Sequence, residues 1–106
     1  NHMDTFLDME FAQKSEAIVA QFGFKDLKSF VKNQALLMLM AKIEKYEAES
    51  NRFEANYALS FDNFQAKIEG LKDEEVFEEE DDYLDWRFAR EVTDRLRRQK
   101  QELENA

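Results

Sequence analysis

From Asp26 to Asn56 the chain meets no residue that breaks a helix, and no proline occurs anywhere in its 106 residues. A backbone so poor in breakers, and rich in Ala, Leu, Lys, Glu and Gln, has helix as its default state. The only glycines, Gly23 and Gly70, therefore read as boundaries. The expected fold is all-α, one domain built on a long central helix with shorter flanking helices. The first helix spans about Asp8 to Phe22, with Gly23 as its left-handed C-cap. Within it, Thr5–Phe11 (TFLDMEF) also alternates with period two, so a short N-terminal strand is the alternative there.

Asp26 is placed to cap the second helix, which at 1.5 Å per residue runs roughly 45 Å. Leu36, Leu39, Ile43, Tyr46, Ser50, Phe53 and Tyr57 recur at alternating spacings of three and four, a heptad-like stripe. Ala35–Met40 is apolar on every side and needs cover from more than one direction. A chain this short has few helices to supply it, so the stripe predicts a homodimer built through Leu36, Leu39, Ile43, Tyr46, Phe53 and Tyr57. Residues 4–58 form this dimerisation region, and Asn1–Met3 read as cloning residue. Over residues 59–71, Ser60 reads as the N-cap of a short third helix, with Leu59 and Phe64 as its staple, ending at Gly70. The last region, 72–106, comprises an acidic stretch and a helix over Tyr83–Glu104. In that helix Glu91–Arg95 and Asp94–Arg98 are spaced as ion pairs.

Charge separates this last region from the rest. The chain carries 15 Lys and Arg against 24 Asp and Glu, a net −9. Residues 71–86 (LKDEEVFEEEDDYLDW) hold nine of those acids against Lys72 alone, so this one stretch carries −8. Nucleic acid is repelled by such a segment and a basic protein is attracted. Aromatic rings interrupt the acids. Phe77, Tyr83, Trp86 and Phe88 read as pocket-filling anchors, with Glu78, Glu79, Glu80, Asp81, Asp82 and Asp85 as counter-charges that steer a basic partner.

Several function classes lose their residues at once. There is no cysteine, and the only histidine, His2, falls in the cloning residue, so most nucleophile–base pairs are missing. No phosphate-cradling Gly-rich loop occurs. No catalytic, metal-binding or cofactor-binding residue is expected, and the chain is read as no enzyme. The nearest imitation of a catalytic pattern is Glu74, Glu75 and Glu78 followed by Glu91 and Asp94. Its spacing fits the magnesium-binding carboxylates of all-helical nucleotide pyrophosphohydrolases. Half the residues of the stretch are acidic, so chance meets the pattern easily, and nothing between Glu78 and Glu91 offers the turn it needs. The longest apolar run, Ala35–Ala41, is too short to cross a bilayer. The absence of cysteine fits a reducing compartment, and a cytoplasmic location is expected.

Gly23–Met40 (GFKDLKSFVKNQALLMLM) resembles the turn and second helix of ribbon-helix-helix antitoxins. Tyr57–Ile68 (YALSFDNFQAKI) followed by Glu78–Ala89 (EEEDDYLDWRFA) is similar to small helical, antitoxin-like proteins of bacteria and archaea. The resemblance implies a dimeric N-terminal half and a C-terminal half that wraps and blocks a basic toxin, often a ribonuclease. In a DNA-binding member the strand presents basic or polar side chains to the major groove. Here TFLDMEF offers Asp8 and Glu10 and no base, so a repressor role is the weaker alternative.

Overall fold

The computed structural model describes residues 2–71 and 76–106. Every regular element among them is an α-helix: α1 (His2–Ala20), α2 (Leu27–Tyr57), α3 (Phe61–Glu69) and α4 (Phe77–Glu104). Thr5–Phe11 lies within α1. Packing divides the chain into two units, Asn1–Met38 and Leu39–Ala106, with the division inside α2.

In the first unit the boundaries are set locally. Gly23 takes φ +92°, a conformation that costs other L-residues. Its N–H bonds the carbonyl of Ala20 at 3.1 Å, and the Phe24 N–H bonds that of Val19 at 3.2 Å. This pairing is a Schellman closure of α1. Three residues on, the Asp26 carboxylate accepts the Ser29 N–H at 2.8 Å and satisfies an orphan donor at the start of α2. The Ser29 hydroxyl and N–H together hold the Asp26 carboxyl below its ordinary 3.8. The Phe24 and Phe30 rings meet edge to face at 5.3 Å across this corner.

The second unit holds most of the core. Phe64, Trp86, Ala89 and Val92 are buried there, with Thr93 satisfied by its bond to the Ala89 carbonyl at 2.8 Å. Ser60 caps α3 through the Asn63 N–H. The connection from α2 to α3 needs a tight reversal, and the residue that makes it is Ala58, with φ +54°. An alanine pays about 1–2 kcal/mol for that left-handed conformation.

Helix α4 begins earlier than its apolar line suggests. The expected start at Tyr83 follows the first regular apolar residue, whereas the helix opens at Phe77 and takes Glu78, Glu79 and Glu80 into its first turn. Carboxylates next to the positive end of the helix dipole stabilise that turn. Lys72–Glu75, including Glu74 and Glu75 of the magnesium pattern, lie outside the described residues.

The two left-handed positions predict stability changes of opposite sign. Ala58→Gly relieves the strain at a small entropic cost and should raise stability by about 0.5–1 kcal/mol. Gly23→Ala, although nothing lies within 4 Å of an added Cβ, should lower it by about 1 kcal/mol. Urea unfolding followed by circular dichroism reads both.

Candidate functional site: the two faces of helix α4

The acidic-aromatic residues do not share one surface. On a helix, Tyr83, Trp86, Ala89 and Thr93 lie on one side, and Phe77, Leu84 and Phe88, spaced seven and four apart, lie on the other. The burial pattern follows this division. Trp86 is 1 % exposed, while Phe77, Leu84 and Phe88 are 67, 49 and 55 % exposed.

The inward face is spent within the chain. The Trp86 ring stacks on Phe53 of α2 at 5.8 Å and meets Phe61 and Phe64 of α3, each at 5.4 Å. Its indole N–H donates to the Ser50 hydroxyl at 2.9 Å. Tyr83 stacks on Phe61 at 5.6 Å, and its hydroxyl accepts the Gln65 side-chain N–H at 3.0 Å. Two of the four rings read as anchors for a partner thus fill the interior of their own chain. An amphipathic helix, rather than a ribbon, sorts the rings.

The same contacts occupy much of the stripe on α2. The heptad reading assigns Tyr46, Phe53 and Tyr57 to a second copy. In the structure Tyr46 meets Phe88 edge to face at 6.0 Å, Phe53 takes Trp86, and Tyr57 packs on Phe64 at 4.3 Å. Side chains of α3 and α4 thus reach this part of α2 and leave Tyr46, Phe53 and Tyr57 half-buried. Leu36, Leu39 and Ile43, further toward the N-terminus, are half-buried.

The carboxylates split as well. Glu78, Glu80, Asp81 and Asp85 are exposed, whereas Glu79 and Asp82 are half-buried. Asp82 accepts a short hydrogen bond from the Tyr57 hydroxyl, joining the end of α2 to the start of α4. Partial burial first, then this bond and the negative charges of Asp82, Glu79 and Glu78, push the Tyr57 hydroxyl well above its ordinary 10.0.

A polar groove of about 390 Å³ runs between α2 and α4. Glu47, Ser50, Asn51 and Glu54 line one side and Arg90, Thr93, Asp94 and Arg97 the other, each row at helical spacing. Arg97 pairs with Glu47 across it, and Arg90 lies over the Phe61 ring at 4.9 Å. Sequence reading misses this groove because both rows look like ordinary solvated faces until the two helices are known to pair. Leu84 is missed as a surface residue because it continues the apolar line of α4.

The magnesium pattern is not assembled among the described residues. Glu78, Glu91 and Asp94 sit on one continuous helix, with Glu78 and Glu91 about 20 Å apart along its axis. Glu91 pairs with Arg87, one turn before it, rather than with Arg95, one turn after. No group of three His, Cys, Asp or Glu among the described residues is placed to hold a metal ion, and no described helix is long and apolar enough to cross a membrane.

Two outcomes follow from the inward face. Trp86→Ala should cost about 3–5 kcal/mol of stability, read by urea unfolding, because three ring contacts and a satisfied N–H are lost together. The Tyr57–Asp82 bond needs the phenol protonated. Its contribution is complete below pH 10, where the unfolded side chain is still neutral, and is lost as pH rises through the higher folded value. Alkaline unfolding should therefore be steeper in the wild type than in Tyr57→Phe, and equal slopes would refute the coupling. No protein family, curated protein or solved structure matches this chain, so its own geometry carries the functional reading.

Proposed function

We propose that this chain is a non-enzymatic protein-binding module, antitoxin-like in action, that masks a basic partner such as a small ribonuclease toxin. The observation that carries this reading is the outward face of α4. Phe77, Leu84 and Phe88 stand half or more in water along one line of a helix otherwise dominated by charge. Exposed Glu80 and Asp81 border that line. Aligned large apolar side chains held in water and rimmed by charge mark an interaction face. A helix with anchors at i, i+7 and i+11 fits an apolar groove on its partner.

The two kinds of residue have separate tasks. Carboxylates raise the rate of encounter with a positively charged surface and compete for the place where substrate phosphates would lie. The apolar line sets how long the complex lasts. Phe77 and Phe88 keep the anchor role, and Leu84 joins them. Tyr83 and Trp86 serve by holding α4 in place.

The test is to express the products of the genes on either side, assay them for a small basic protein that binds this chain, and follow the complex by stopped-flow kinetics; neighbours that supply no such binder would refute the reading. Leu84→Glu with Phe88→Glu should raise the off-rate about tenfold or more. Replacing Glu78, Glu79, Glu80, Asp81, Asp82 and Asp85 by Gln or Asn should slow association and flatten its salt dependence. Complexes unaffected by both changes would refute the reading.

A further inference from the structure

We infer that the first unit is a self-pairing surface, occupied by a second copy of this chain through the exposed seams Phe11–Ile18–Phe22 and Val31–Met38. This does not rest on the docking role of α4, which belongs to the other unit.

Three observations support it. The first is how much apolar side chain the described residues leave in water. Among the described residues of Asn1–Met38 the only buried apolar side chain is Val19, at 8 % exposure. Phe11, Ile18, Phe22, Val31 and Met38 are exposed by 71, 56, 75, 57 and 71 %. Ordering a helix pair costs entropy that burial has to offset, and covering these exposed side chains would add to that burial.

The second is the pattern. Phe11 and Ile18 are spaced seven on α1, with Phe22 four further on in the turn that closes it, and Val31 and Met38 are spaced seven on α2, the spacing of seams that helices pair through. All five side chains are more than half exposed, and large apolar side chains aligned in water are what an interface between copies is built from.

The third is charge, and it selects the occupant. A chain of net −9 repels its own copies. Residues 5–38 do not: Lys14, Lys25, Lys28 and Lys32 balance Asp8, Glu10, Glu16 and Asp26. Asp4 carries one negative charge, and the remaining −8 lies in Leu39–Ala106. A basic partner is drawn to the second unit and finds no excess of acid on the first. A second copy meets a neutral, apolar surface there, whereas the exposed apolar line of α4 is set among acids that repel it.

Sedimentation equilibrium of the whole chain, from about 1 to about 100 µM, spans the range in which mass action populates a micromolar dimer. The expected mass is twice the 12.7 kDa of one chain. Ile18→Glu with Met38→Glu should weaken the dimer at least a hundredfold. Met9→Glu, an exposed position on the opposite side of α1 from Ile18, should leave it intact. Hydrogen exchange on the wild type guards against a variant that loses its helices: protection over residues 8–38 should rise with concentration. The inference is overturned by a monomer at the highest concentration, even one that then binds lipid vesicles or the basic partner. It is also overturned by a dimer whose concentration-dependent protection falls only within residues 39–106.

Discussion

The second unit depends on one indole. Trp86 is the point at which α2, α3 and α4 all meet, since its ring touches Phe53, Phe61 and Phe64. A buried indole also brings an N–H that must find an acceptor, because leaving it unpaired costs about 1–3 kcal/mol. The Ser50 hydroxyl provides that acceptor. This explains an oddity of the α2 stripe. A strictly apolar seam would place a leucine or isoleucine at position 50, and the serine there is the mark of a seam that receives a tryptophan. The acceptor fixes the rotation of α4 about its axis, and that rotation decides which of its rings face water.

Fixing α4 in this way makes the Tyr57–Asp82 bond possible at the other end of the same contact. Tyr57 closes α2 one residue before the left-handed Ala58, and Asp82 lies in the second turn of α4. A carboxylate from the most acidic part of the chain is thereby held against a phenol, while Glu78 and Glu80 beside it point into solvent. The acidic run is an ordered start to a helix from Phe77 onward. Its charge sits at the positive end of the helix dipole, and the basic Arg95, Arg97, Arg98 and Lys100 lie further along.

Much of the secondary structure was legible because it is decided locally. Gly23, Asp26, Ser60 and Gly70 each act on the backbone within a few residues, and each stands at its expected helix end. What could not be read was which surface meets which. A heptad stripe such as Tyr46–Phe53–Tyr57 states that a helix pairs, without stating whether its mate is another chain or the same chain returning. The reversal that brings α3 and α4 back to Tyr46, Phe53 and Tyr57 rests on Ala58, a residue with no turn signature. Likewise the start of α4 at Phe77 was hidden because glutamates favour a helix start and a solvated coil alike. The polar groove depends on pairing two helices whose rows of charge look ordinary when taken singly.

Rings set among carboxylates read as one docking set only while the helical period that separates them is left out of account. Wound into a helix, the same residues divide by the 3.6-residue period: Tyr83 and Trp86 turn inward, and Phe77, Leu84 and Phe88 turn outward. The inward pair does not weaken the case for a partner. It supplies what an exposed set requires, namely a support that keeps Phe77 and Leu84 in water and Phe88 partly so, with one edge against Tyr46. A flexible acidic tail with the same composition would lose entropy on ordering at every encounter, whereas a helix already pinned by Trp86 does not. One helix can therefore serve fold and interface at once, provided that its two faces carry different residues. A loss of binding on changing Trp86 would accordingly report the support, and a loss on changing Leu84 would report the proposed interface, while Phe88, whose ring also meets Tyr46, would report both.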